Sequence, residues 1–271
     1  MTSTPHDGQL LAAGGIVVNW SGPSGEPVVT VTLNRPETRN SQTPSTWAAL
    51  AHVGECLPHD TRVVVVRGSG STFSSGLDKS AFDRADHDSE LNLTRLGELP
   101  DAELDAQIAE FQRGFTWWRE NNDVISIAAV DGAAVGAGFQ LALACDIRLA
   151  TPSAKFSMRE PALGLVPDLG GTHPLVQLVG FSRAMEICVT TRWVEAPEAL
   201  AWGLVNALSP DANVDTVLNP FIDHVLSMPI QTLRETKALL NHATDTNASE
   251  QRARERAAQT RMIRILSDKG H

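Results

Sequence analysis

Two carboxylates stand at the ends of an otherwise largely apolar stretch, REPALGLVPD, which spans residues 159–168. Glu160 and Asp168 lie eight positions apart, and most of the residues between them are of the types found in protein cores. Burial beside apolar groups raises the pKa of a carboxyl group toward the range useful for proton transfer. The stretch therefore raises the question of why a segment of core-type residues carries a carboxylate at each end.

Each carboxylate also has a simpler structural interpretation. Glu160 could pair at the surface with Arg159 or Lys155. Asp168 precedes LGGTHPLVQLV, where an aspartate can cap a helix by accepting from a backbone N–H two or three residues further on. From the residues alone, the cap is the favoured interpretation of Asp168.

Two turns rich in small residues could bind developing negative charge. STFSSGLDKSAF follows a run of four valines, and Gly76 allows the backbone to curl so that an amide N–H points outward. VDGAAVGAGFQLALACD leads from a strand through a turn into an apolar helix, whose first N–H groups are free and lie at the positive end of the helix dipole. Two such turns facing one pocket would form an oxyanion hole.

The order of the elements that must position these residues predicts an α/β fold. GIVVNW and VVTVTLN read as a β-hairpin, PSTWAALAHVGECL has helical spacing, and TRVVVVRG, VISIAAVDG and DIRLA read as strands. Beyond residue 195 the pattern is helical. We predict an α/β body over residues 1–195 and a helical C-terminal region over residues 196–271.

An acidic and polar excursion over residues 83–102 interrupts this alternation. It precedes a predicted helix on which Ile108, Phe111, Phe115 and Trp118 share a face. Long loops in compact domains often act as lids, so we expect a mobile excursion that shapes the pocket.

Composition narrows the possible functions. The 271-residue chain has a net charge of −10, which disfavours a nucleic-acid partner. Three scattered cysteines indicate neither a disulfide framework nor a metal site, eight histidines give no metal-ligand spacing, and GAAVGAG lacks the glycine order of a dinucleotide site. No apolar run is long enough to span a membrane. We expect a soluble, cytoplasmic protein without a metal ion.

Five segments in order resemble the crotonase superfamily, also called the enoyl-CoA hydratase/isomerase family. They are LNRPETRNS, FSSGLD, AAVDGAAVGAGFQLALACDIRLA, AKFSMREPALGLVPDLGGT and GFSRAMEICVTTRWVEAPEALAWGLVNAL. The resemblance implies a ββα spiral core, a helical trimerisation region, and a homotrimer or dimer of trimers. It implies an acyl-CoA substrate and no separate cofactor, because coenzyme A is part of the substrate.

By position in these segments, the resemblance also implies the site residues. The two oxyanion amides would be the backbone N–H groups of Leu77 and Ala137, the latter standing where the family usually has glycine. The substrate- and CoA-binding positions would be Arg35, Ser75, Gly76, Lys79 and Gly136.

Three side chains would decide the reaction. Glu160 matches the glutamate used for proton transfer by hydratases and several isomerases, and Asp168 matches an aspartate of dienoyl-CoA and ring-epoxide isomerases. Gln140 stands where hydratases carry a second glutamate, and an amide cannot take a proton from water. We therefore favour double-bond isomerisation of an enoyl- or dienoyl-CoA by Asp168, Glu160 or both. The alternatives are hydration through Glu160 with Gln140 orienting water, and a non-catalytic acyl-CoA binding protein, which would turn both carboxylates away from the pocket.

Overall fold

The computed structural model describes residues 5–22, 25–83 and 89–268. Its strands are β1 Ile16–Asn19, β2 Val28–Leu33, β3 Ser41–Gln42, β4 Val63–Gly68, β5 Gly76–Leu77, β6 Ile125–Val130, β7 Ala133–Val135, β8 Ile147–Ala150, β9 Lys155–Ser157, β10 Val194–Glu195 and β11 Ala207–Leu208. Its α-helices are α1 Pro5–Ala13, α2 Pro44–Glu55, α3 Leu93–Leu96, α4 Asp101–Glu120, α5 Ala137–Ala144, α6 Thr172–Val179, α7 Phe181–Thr190, α8 Ala196–Ala201, α9 Asp215–Ser227, α10 Ile230–His242 and α11 Ala248–Asp268. Short 3-10 helices cover Pro36–Thr38, Lys79–Phe82 and Glu160–Leu163.

The main sheet has six strands in the order β1-β2-β4-β6-β8-β11. The predicted hairpin is confirmed, since β1 and β2 pair antiparallel, whereas the remaining neighbours pair parallel. The four valines of β4 are all buried, as a continuous apolar run in a parallel sheet predicts.

Helices cover both faces of this sheet, and successive residues of β4 face opposite layers. Val64 and Val66 belong to the larger core, which also contains buried side chains of α2, α4 and α5. Val63 and Val65 belong to a second cluster with Leu218 of α9. The C-terminal helices thus pack on the far side of the sheet from α2 and α4.

Two small sheets carry the turns singled out in the sequence. β3 pairs with β5, and β7 lies in a three-stranded sheet of order β10-β9-β7. An isolated bridge between Ser74 and Ala134 joins the two turns. The small sheets therefore place the Gly76 turn beside the start of α5.

Two features differ from the sequence prediction, and part of a third predicted feature lies outside the described residues. β11 lies beyond the predicted boundary at residue 195 and still pairs with β8, so the sheet of the α/β body continues into the predicted C-terminal region. The N-terminal helix α1 was not predicted. In the excursion over 83–102, residues 84–88 lie outside the described residues, and the short helix α3 follows them. No helix in the described part of the chain has both the length and the apolar character needed to cross a membrane.

Candidate active site

A cavity of about 380 Å³ lies between the Gly76 turn, the start of α5, the 3-10 helix at Glu160 and the helices α3 and α4. Gly76, Leu77, Gly136, Ala137, Glu160 and Asp168 all line it. The rest of its wall is mostly apolar and includes Trp47, Phe82, Leu91, Leu93, Leu96, Leu104, Ile108, Phe111, Val135, Leu163, Leu165, Val166 and Leu169. The excursion supplies part of the cavity wall, as the sequence predicted, and α4 supplies a further part that was not predicted.

The first turn carries the backbone N–H of Leu77, a residue that lines this cavity. The Gly76 N–H donates to the Ser74 hydroxyl at 3.2 Å, and the Asp78 N–H donates to the Gln42 carbonyl at 2.9 Å. Because amides alternate sides along a strand, the Leu77 N–H between them points away from β3. Gly76 has φ +84°, and a Cβ built there would lie 2.5 Å from the Val135 carbonyl oxygen. Only glycine fits this approach of the two turns.

The second amide belongs to Ala137, the first residue of α5. Gly136, with φ +51°, precedes it, and no side chain caps this helix end. The first residue of a helix has no intrahelical acceptor, so its N–H remains available at the positive end of the dipole. A Cβ on Gly76 would lie 3.4 Å from the Ala137 nitrogen, so the two turns are in close contact. This arrangement can receive an oxyanion between the Leu77 and Ala137 amides.

Glu160 lies beside the second turn and is buried, with 9% of the residue exposed. A Cβ on Gly136 would lie 3.3 Å from Glu160 Oε1. Burial raises the pKa of Glu160, the nearby Asp168 carboxylate also raises it, and a hydrogen bond from Gln140 opposes the shift. The surface-pair interpretation is wrong, because Lys155 lies over the Trp193 ring and Arg159 donates to the Thr191 carbonyl.

Asp168 faces the same cavity from the loop before α6. That helix begins at Thr172, with Gly171 as its cap residue and no side-chain capping bond. The helix-cap interpretation of Asp168 is therefore wrong. Burial raises the pKa of its carboxyl group. Both carboxylates thus border one apolar cavity, the reverse of the arrangement expected for a non-catalytic acyl-CoA binding protein.

Gln140 requires a correction. Its side chain is fully buried in α5, it is not among the residues that line the cavity, and its amide donates to Glu160 Oε1 at 2.7 Å. Its oxygen accepts from the backbone N–H groups of Leu169 and Gly171. The geometry places Gln140 behind Glu160, outside the cavity wall.

The predicted CoA-binding positions are not all at the cavity. Ser75 lines it and donates its hydroxyl to the Thr38 carbonyl at 3.1 Å. Arg35 lines an adjoining cavity of about 350 Å³ that shares Leu77 with the first, and it donates to Asp78 Oδ2 at 3.3 Å. Lys79 is exposed and is not among the residues that line either cavity.

Sequence reasoning missed two contributors to the site. Trp47 forms part of the cavity wall and packs against Phe111 with ring centroids 4.8 Å apart. Gln112 on α4 donates to the backbone carbonyl of Asp168 at 2.6 Å. Helical periodicity places Phe111 on the inner face of α4, but no local pattern reveals a partner 56 residues away. Within the described residues, no group of three His, Cys, Asp or Glu side chains could hold a metal ion.

The three sheets, their helices and the two adjoining turns define the crotonase class of fold. The chain belongs to the enoyl-CoA hydratase/isomerase family, whose model matches residues 24–269. A Thermobifida fusca YX protein assigned as an enoyl-CoA hydratase, solved with acetoacetyl-CoA, is 43% identical, with a TM-score of 0.88 over 95% of this chain and 98% of that one.

Two further relatives differ from each other in the activity that their names give and in their length. The 1,2-epoxyphenylacetyl-CoA isomerase of Escherichia coli (strain K12) is 34% identical over 225 residues, which are 81% of this chain and 80% of that protein. The peroxisomal fatty acid beta-oxidation multifunctional protein MFP2 of Arabidopsis thaliana is 31% identical over 199 residues, which are 71% of this chain and only 25% of that protein. The chain thus spans a quarter of this longer relative.

Proposed function

We propose that the chain is an acyl-CoA double-bond isomerase that moves a proton through Glu160, Asp168 or both. The observation that carries this proposal is that both carboxylates line one apolar cavity beside the Leu77 and Ala137 amides. The similarity to the E. coli 1,2-epoxyphenylacetyl-CoA isomerase supports it. The acyl group would occupy the apolar cavity, with its thioester oxygen between the two amides.

Each step of the reaction uses a group described above. A carboxylate removes a proton from the carbon next to, or in vinylogous relation to, the thioester carbonyl, and the electron pair of the broken C–H bond moves onto the carbonyl oxygen. The two amides stabilise the resulting enolate. A carboxylic acid returns a proton to a different carbon, which leaves the double bond shifted and no atom gained or lost. Burial raises the pKa of both carboxyl groups, which favours this exchange.

Hydration is the alternative, and the Thermobifida fusca relative assigned as an enoyl-CoA hydratase keeps it open. Hydration would need a second group, across the cavity from Glu160, that activates a water molecule. Both ends of the Gln140 amide are engaged within the protein, and this residue is not part of the cavity wall. The position that would hold the second glutamate therefore offers no base to a water molecule.

The test is an assay that follows double-bond migration and water addition separately with 2-enoyl-, 3-enoyl- and dienoyl-CoA esters. We expect migration to dominate, and we expect Asp168→Asn or Glu160→Gln to lower its kcat by about 10²–10⁴-fold, the usual contribution of a general acid–base group. Asp105→Asn, at an exposed position on α4, is the matched control and should retain full activity.

Two outcomes would overturn the isomerase proposal. If water addition dominates and falls only with Glu160→Gln, the protein is a hydratase and Asp168 takes no part in the chemistry. If the protein binds acyl-CoA esters but turns none of them over, it is a binding protein.

We propose further that the chain forms a homotrimer or a dimer of trimers. Phe181, Met185 and Val189 are exposed apolar residues four positions apart on one face of α7. Such a contiguous apolar face on a water-soluble domain marks a contact surface. We expect light scattering to give three or six times the mass of the 29.1-kDa chain.

Charge on this face should break the assembly. We expect Phe181→Glu with Val189→Glu to reduce the mass to that of a single chain, because a carboxylate cannot be buried there without a partner. Val17→Glu, at an exposed apolar position on β1, should leave the mass unchanged. A wild-type protein that is monomeric at micromolar concentration would contradict this proposal.

A further inference from the structure

We propose that Gln140 is a positioning residue that fixes one oxygen of Glu160 and anchors the loop that carries Asp168. The inference deepens the proposed function and rests on proton transfer through Glu160. It concerns how the site is held together and does not depend on whether the product is an isomer or a hydrate.

The orientation of the Gln140 amide follows from its partners. Its oxygen accepts from the Leu169 N–H at 2.9 Å and from the Gly171 N–H at 3.2 Å. Since backbone N–H groups can only donate, the oxygen of the amide must face them. The NH₂ end therefore points at Glu160 and donates to Oε1 at 2.7 Å. A flipped amide would place donors against donors.

The two oxygens of Glu160 are consequently unequal. Oε1 is held by Gln140, whereas Oε2 is buried and has no hydrogen-bond partner within the described part of the chain. A buried polar atom without a partner is costly, and Oε1 is the oxygen through which Gln140 fixes this carboxyl group.

The same amide connects Glu160 to the segment that carries Asp168. Leu169 directly follows Asp168, and its N–H is one of the two groups that Gln140 accepts from. From the opposite side, Gln112 on α4 donates to the Asp168 carbonyl. Gly171 leaves room for this arrangement, because a Cβ there would lie 2.8 Å from the Gln140 side chain. One buried amide thus sets the relative position of both carboxylates.

Gln140→Met tests this inference, because it keeps the side-chain length and removes every hydrogen bond. We expect kcat at pH 7 to fall by up to about 100-fold, as for a misplaced catalytic group. The hydrogen bond from Gln140 lowers the Glu160 pKa, so its loss should move the acidic limb of the kcat profile to higher pH. The expected direction follows because a higher pKa leaves less ionised Glu160 at any given pH.

A cycle of combined variants separates positioning from general damage. If Gln140 acts through the two carboxylates, adding Gln140→Met to the variant that carries both Glu160→Gln and Asp168→Asn should lower kcat by no more than about twofold further. Asn241→Leu is the control, since the half-buried amide of Asn241 on α10 donates to the Arg119 carbonyl and to Asn122, away from Glu160. It should lower the thermal midpoint without moving the acidic limb.

Ionisation of Glu160 can also be followed without turnover. Its carboxyl band, isolated as the infrared difference between the wild type and Glu160→Gln, should titrate at higher pH in Gln140→Met. If that variant does not fold, Gln140→Glu keeps the acceptor for Leu169 and Gly171 and loses the permanent donor, so the same upward shift is expected. An unmoved band in the folded variant, or a full further loss of kcat when Gln140→Met is added to the variant that lacks both carboxylates, would overturn the positioning role. Product identity, by contrast, decides the isomerase proposal.

Discussion

Replacing Gly76 with alanine is expected to lower kcat by about 10²–10³-fold, the usual cost of losing one oxyanion-hole donor. The new Cβ would stand 2.5 Å from the Val135 carbonyl oxygen, which belongs to the backbone and has no free rotamer. The two turns must separate to admit it, and the Leu77 amide moves away from the Ala137 amide as they do so. Steady-state kinetics with the preferred acyl-CoA ester measures the loss.

A second glycine provides the control for this prediction. Gly203 also has a positive φ of +74°, but its nearest neighbour to an added Cβ lies 3.9 Å away. Gly203→Ala therefore introduces the same backbone strain, about 1 kcal/mol of stability, without crowding and away from the cavity. Its kcat should match the wild type. Equal activity of the two variants would show that the closeness of the turns is not needed for catalysis.

Replacing Lys237 with methionine is expected to lower the free energy of unfolding by about 3–5 kcal/mol, the cost of breaking a buried ion pair from one side. Lys237 on α10 is 5% exposed, and its Nζ lies 2.7 Å from Asp146 Oδ2. It also donates to the backbone carbonyls of Trp118 and Val124. Without it, the Asp146 carboxylate and both carbonyls lose their cationic partner.

Denaturant unfolding measures this loss, with Arg254→Met as the control. Arg254 pairs with Glu250 at 3.0 Å on the exposed side of α11, and exposed pairs contribute about 0–1 kcal/mol. The two variants should therefore differ several-fold in destabilisation. Similar losses would mean that the Lys237 pair is no more important than a surface pair, and that apolar contacts alone hold α10 on the core.

Some elements of this fold can be predicted from neighbouring residues alone, whereas others depend on contacts between distant segments. The β1–β2 hairpin, the buried strand β4 and the inner face of α4 follow from periodicity, and the structure has all three. The two-residue strands β3 and β5 do not, because their pairing joins segments about 35 residues apart and too short to show a pattern. Boundaries set by such distant pairing, including that of β11, cannot be predicted from composition.

The same contrast between local sequence patterns and long-range contacts applies to the candidate site. The family resemblance implied that Glu160 and Asp168 border one apolar pocket, and both line the same cavity. The cap interpretation of Asp168 was wrong because the following helix begins three residues later than that role requires. The position of Gln140 in GFQLALA indicates a buried amide, but its partners lie 20 to 31 residues further along the chain. The sequence therefore indicates that Gln140 is buried, but it does not indicate which groups the Gln140 amide contacts.

The composition of the cavity wall has a consequence for how this protein can diversify. The groups assigned to proton transfer and charge stabilisation lie on the Gly76 turn, the start of α5 and the segment 160–168, all joined to the sheets. Leu91, Leu93, Leu96, Leu104 and Ile108 of the opposite wall come from one continuous stretch, residues 91–108. Changes in length or bulk within that stretch can therefore alter which acyl groups enter, while the reacting groups keep their places. The reaction and the choice of substrate are separable parts of this chain, and each can vary without rebuilding the other.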